Sequence, residues 1–102
     1  MKFLKKLNKL NFLLIRRVEG QSMLPSLSTG QLILAIKYKP FYLTGRVVIC
    51  RYDQLEIIKR VKWANQNELY ILGDNPEFSR DSRFFGPINR NQLIGLVIWP
   101  RI

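Results

Sequence analysis

LEIIKRVKWANQNELYIL, Leu55 to Leu72, decides the reading of the fold. Two runs rich in aliphatic, β-branched and aromatic residues, Leu55 to Trp63 and Leu69 to Leu72, flank the polar ANQNE. That is the pattern of two strands joined by a hairpin loop. Side chains alternate along a strand, so Leu55, Ile57, Lys59 and Val61 are expected on one face. Glu56, Ile58, Arg60 and Lys62 then take the other. Lys59 is the one lysine placed in a row of aliphatic side chains.

Working outward, RVVICRY (Arg46 to Tyr52) follows Gly45 and QLILAIKY (Gln31 to Tyr38) follows the turn signal SLSTG. Both read as strands. LIGLVIWP, Leu93 to Pro100, is a further strand that its proline ends. Between Leu72 and Leu93 lies GDNPEFSRDSRFFGPINRNQ, with two prolines, two glycines and no helical or strand period. Loops this long inside a small domain are usually functional. The fold class expected is a mostly β, single-domain core with one elaborate loop.

A chain of 102 residues, 47% apolar, suffices for one hydrophobic core. One cysteine, Cys50, excludes an internal disulfide, and the absence of histidine leaves a transition-metal site without ligands. No metal and no cofactor are therefore expected. Seventeen Lys and Arg against seven Asp and Glu give a net charge of +10, which favours anionic partners or simply reflects solvated faces.

Residues 1–17 form a basic amphipathic segment and residues 18–102 the domain proper. In the segment, Phe3, Leu4, Leu7, Leu10 and Leu14 fall near one helical face among lysines. Its longest apolar run, Phe12 to Ile15, has four residues, too few for a membrane anchor or a signal-peptide core. Packing on the domain and weak contact with an anionic membrane are both compatible with it.

VEGQSMLPSLSTG, Val18 to Gly30, pins Ser22 between Gly20 and Pro25 like a positioned nucleophile. With no histidine, the nitrogen base left is lysine. A free lysine, with a pKa of ~10.4, is protonated at neutral pH, but burial in apolar surroundings lowers that by up to ~3–5 units. Lys59 meets the requirement. Taken by themselves, the residues leave two plainer readings open: Lys59 snorkels to solvent, and Ser22 sits in an ordinary turn.

Three blocks then coincide: Gly20, Ser22, Met23, Pro25 and Ser26; Lys59, Arg60 and Val61; and Gly73, Asp74, Asn75, Ser79, Asp81, Ser82, Arg83 and Gly86. In order and spacing they resemble the signal peptidase I superfamily, serine proteases with a Ser/Lys dyad. The resemblance runs from about Val18 to Ile102, and the Gly73–Gly86 block is its most specific part. It implies a mostly β catalytic core in which Ser22 is the nucleophile and Lys59 the general base. Ser79 would hold the lysine amine, and the Ser22 N–H would serve the oxyanion hole. Where some relatives add a serine hydroxyl to that hole, this chain has Gly20. Asp74, Asn75, Asp81 and Arg83 would support the loop, and Met23 would line the substrate pocket.

No N-terminal membrane anchor is expected, and the long insertion of bacterial signal peptidases is missing, since only Lys62 to Leu72 separate the second and third blocks. Within the superfamily it looks most like the maturation proteases of nickel-type superoxide dismutase. The partner implied is that enzyme's precursor, from which a short N-terminal extension is removed, and the location implied is the cytoplasm. The alternatives are signal-peptidase-like processing of membrane-presented precursors, with a peripheral contact on the inner membrane surface, and a basic β module that binds nucleic acid.

Overall fold

Val47–Tyr52 (β3) and Leu55–Ala64 (β4) pair as an antiparallel hairpin in which Val48 lies across from Lys59 and Cys50 from Ile57. Its two-residue turn, Asp53 and Gln54, has both φ angles positive, at 51° and 67°. That is the turn whose twist matches the strands it joins. A computed structural model describes residues 12–102 and builds outward from this hairpin. The other strands are Leu13–Arg17 (β1), Leu32–Ile36 (β2), Glu68–Leu72 (β5), Ile88–Asn89 (β6) and Leu93–Trp99 (β7). They form one curled antiparallel sheet in the order β1-β2-β7-β3-β4-β5-β6.

β3 lies between β7 and β4, and its continuous apolar run is explained by cover on both faces. Val47 and Ile49 belong to a core with Leu14, Met23, Leu27, Ile33 and Val97. Val48 and Cys50 belong to a second core with Val61, Leu69, Ile71, Leu93 and Leu96. Ile57 packs on the second core as alternation requires, while Ile58, expected on a polar face, packs on the first. Leu55, expected in the apolar row, is 65% exposed beside the hairpin turn.

The helical face expected of the N-terminal segment needs correction at its end. Leu14 lies in the strand β1, paired across from Ala35 of β2, and is buried. A strand wins here because β2 offers a free edge and a core for alternate side chains, which a helix on the same residues would forgo. Phe3, Leu4, Leu7 and Leu10 lie outside the described residues. No helix among those described is long and apolar enough to cross a membrane.

The segment without visible period folds into four short pieces: a 3-10 turn at Pro76–Phe78, the helix Ser82–Phe85 (α1), β6, and a 3-10 turn at Arg90–Gln92. None is long enough to repeat the pattern that would reveal it. Asp81 caps α1, its carboxylate accepting from the Arg83 N–H.

Candidate active site

Lys59 is 5% exposed, with buried Val48 opposite and buried Val61 two residues on. Burial disfavours the ammonium form and pushes its pKa below the ordinary lysine value. The charge of Asp81 pulls the other way, and that of Arg83 adds to the lowering. Among the described residues, Lys59 forms no salt bridge. An amine so placed is biased toward its neutral, proton-accepting form.

The Gly73–Gly86 loop is organised around Asp81, which is fully buried. Its carboxylate accepts from Ser79 Oγ at 2.5 Å, the Gly73 N–H at 2.8 Å, and Arg83 Nε and Nη2 at 2.9 and 2.7 Å. Burial works to raise the pKa of Asp81, but these donors outweigh it and hold the carboxyl well below the usual range. Arg83 stands at the surface and reaches inward, so the pair is neither fully buried nor a free surface pair. Because Ser79 gives its hydroxyl proton to Asp81, its oxygen keeps lone pairs for another donor.

A second carboxylate, Asp74, joins all three sequence blocks. It accepts from Ser26 Oγ at 2.6 Å and from Arg60 Nε and Nη2 at 2.9 and 2.7 Å. Ser26 comes from the first block, Arg60 from the second and Asp74 from the third. Next along the chain, the Asn75 N–H donates to the Ser22 carbonyl at 2.9 Å and its side-chain amide to the Gln21 carbonyl at 3.0 Å. These bonds dock the Ser22 turn on the loop.

Gly73 sits where turn and loop touch. A Cβ there would fall 2.1 Å from Ser79 Oγ and 2.6 Å from the Ser22 carbonyl oxygen, so no other residue fits without displacement. The sequence reading gave Ser26, Arg60 and Gly73 no role at the site. Their signal was membership of the blocks, which does not name partners.

Ser22 and Lys59 line the same cavity, of about 440 Å³, with Met23, Ile49, Ile57 and Ile58 among its apolar residues. Met23 is itself 2% exposed, so it serves the core and the cavity wall together. Among the described residues, no hydrogen bond joins Lys59 to Ser22 or to Ser79. The Ser22 N–H donates to no backbone carbonyl there either, which leaves it available. Gly20, exposed and at φ 77°, brings no side-chain donor. Cys50 is buried and pushed up to about 12, which makes it an inert thiol.

The family model for signal peptidase, peptidase S26, matches residues 62–101. That stretch contains Gly73, Asp74, Ser79, Asp81 and Arg83 and begins just beyond Lys59. Over that stretch, less than half of the chain, the protein is similar to signal peptidases of the S26 type. Comparison with curated proteins finds no match.

Proposed function

We propose that this protein is a serine endopeptidase that uses a Ser22/Lys59 dyad to remove an N-terminal extension from a precursor protein. The observation that carries the reading is the shared cavity of Ser22 and a buried lysine whose pKa is lowered. In the reaction, neutral Lys59 takes the Ser22 hydroxyl proton as Oγ attacks the scissile carbonyl. The Ser22 N–H faces the developing oxyanion, an interaction of the kind worth ~3–4 kcal/mol. Protonated Lys59 then hands its proton to the leaving amine, and a water activated by the same amine hydrolyses the acyl-enzyme. Ser79, fixed by Asp81, offers lone pairs that orient the amine.

The free strand edges at the cavity fit an extended peptide. β1 is the edge of the sheet, and β5 pairs with β4 only from Arg60 onward. The backbone of Leu55–Lys59 therefore faces the cleft without a strand partner on that side among the described residues. A substrate can bind by β-addition there.

The substrate favoured by the chain's likeness to its superfamily is the precursor of nickel-type superoxide dismutase. The test is incubation of that purified precursor with wild type, Ser22→Ala and Lys59→Met, reading new N-termini by mass. One cut made by wild type and lost in both variants is expected. A cut that persists in either variant would refute the dyad, and no cut by wild type would remove this substrate.

A further inference from the structure

The cleft beside Ser22 is bridged by a charge pair that the proposed reaction does not use. Arg16 of β1 donates from Nε and Nη2 to the Glu56 carboxylate of β4, at 2.7 and 3.2 Å. β1 and β4 are not neighbours in the sheet. The pair spans the curl, and both residues line the cavity that holds Ser22 and Lys59. Glu56 lies three strand residues from Lys59, about 10 Å along the chain.

The charges at this end do not balance. Arg51 also approaches Glu56, at 3.8 Å, so one carboxylate faces two guanidinium groups. Arg16 further donates from Nη1 to the Ile15 carbonyl, which leaves two of its five N–H donors uncommitted among the described residues. Glu19, the other acidic residue of the cavity wall, sits three residues further along the chain toward Ser22. The end marked by Arg16 is locally cationic, on a chain whose net charge is +10.

We infer that the Arg16–Glu56 bridge makes the cleft selective for substrates with an acidic side chain about three residues from the scissile bond. This rests on the peptidase reading. A carboxylate there meets the spare donors of Arg16, while Arg51, outside the cavity wall, offsets the charge of Glu56; a basic side chain meets repulsion. The sites are partly exposed, so the preference is modest, about three- to five-fold, and it fades at high salt.

A purely structural brace and a charge selector differ in a way that two variants expose. Arg16→Gln and Glu56→Gln both break the bridge, so a brace predicts the same change in each. A selector predicts opposite changes: acidic preference lost in Arg16→Gln and enlarged in Glu56→Gln. The experiment digests a library of randomised decapeptides with wild type and each variant, Ser22→Ala serving as the blank, and maps the cuts by mass. In parallel, fluorescence anisotropy compares binding to Ser22→Ala of alanine-rich decapeptides with one central Glu or one central Lys, with and without each bridge variant.

Acidic enrichment two to four residues from the cut, moved in opposite directions by the two variants, is the expected result. Movement in the same direction, or no charge preference in cleavage and binding, overturns the inference. Selective binding of the Glu peptide without any Ser22-dependent cleavage would remove the peptidase reading and leave the charge selection standing.

Discussion

Arg60 grips Asp74 through two parallel hydrogen bonds, Nε to Oδ1 at 2.9 Å and Nη2 to Oδ2 at 2.7 Å, and so ties β4 to the loop that follows β5. The strand that carries Lys59 is thereby locked to the segment that docks Ser22. Arg60→Lys keeps the charge and loses the fork, which a point ammonium does not replace. The expected outcome is a stability loss of about 1–2 kcal/mol in urea unfolding. Peptidase activity is expected to fall by more than that loss explains at temperatures where the variant is folded.

The pH dependence follows from the direction of the Lys59 shift. In the proposed mechanism cleavage needs the neutral amine, so the rate should rise with pH through the pKa of Lys59, which lies below the ordinary lysine value. Asp81 raises that pKa and Arg83 lowers it. Asp81→Asn should therefore move the rising limb of the pH–rate profile to lower pH, and Arg83→Gln should move it to higher pH. A pH–rate series on the three proteins checks the pair of opposite signs. Shifts of the same sign would show that the limb belongs to another group.

Lys59 should also weaken the fold it serves. A lysine whose folded pKa is depressed binds fewer protons folded than unfolded, between the folded pKa and the ordinary value. Stability then rises with pH through that window, and below it the full penalty of burying an ammonium applies. Lys59→Met removes the penalty and fills the same space. It is expected to abolish cleavage while stabilising the protein at neutral pH by on the order of 1–3 kcal/mol. Thermal unfolding of wild type and variant at pH 7 measures the gain, and a lower melting temperature in the variant would contradict it.

Gly73→Ala tests the contact between turn and loop. The added methyl would meet Ser79 Oγ and the Ser22 carbonyl well inside van der Waals distance. Relief requires moving the loop, which costs about 1–3 kcal/mol and displaces Ser79 relative to the Ser22 turn. Activity should be lost even at temperatures where circular dichroism shows a folded chain. Retention of near-normal activity would mean that the Ser22–Ser79 spacing is not critical.

The strands were legible from their apolar and β-branched runs, and the burial of Lys59 from its alternation with Ile57 and Val61. β1 was not, since a four-residue apolar run beside basic residues suits a helix face or a strand equally. Only the exposed edge of β2, some twenty residues away, decides it. The Asp81–Arg83 pair, two residues apart, was readable as a pair. The partners of Asp74 were not, because Arg60 and Ser26 lie 14 and 48 residues back along the chain. The space constraint at Gly73 is likewise set by two distant segments. Local pattern shows which residues share a face, and tertiary closure decides which of them touch.

The β3–β4 turn offers a test of the fold that is independent of the site. Asp53 and Gln54 both adopt positive φ, at 51° and 67°. Aspartate tolerates that region, but for a glutamine it costs about 1–2 kcal/mol relative to glycine. Glycine in turn gives back part of the gain through its larger unfolded-state entropy. Gln54→Gly is therefore expected to stabilise the protein by about 0.5–1 kcal/mol, seen as a higher urea midpoint at unchanged slope. Neither Asp53 nor Gln54 lines the cavity, so cleavage should change little while the turn keeps its shape. A destabilised Gln54→Gly would mean that the hairpin does not close through this turn, and the register that pairs Val48 with Lys59 would lose its anchor.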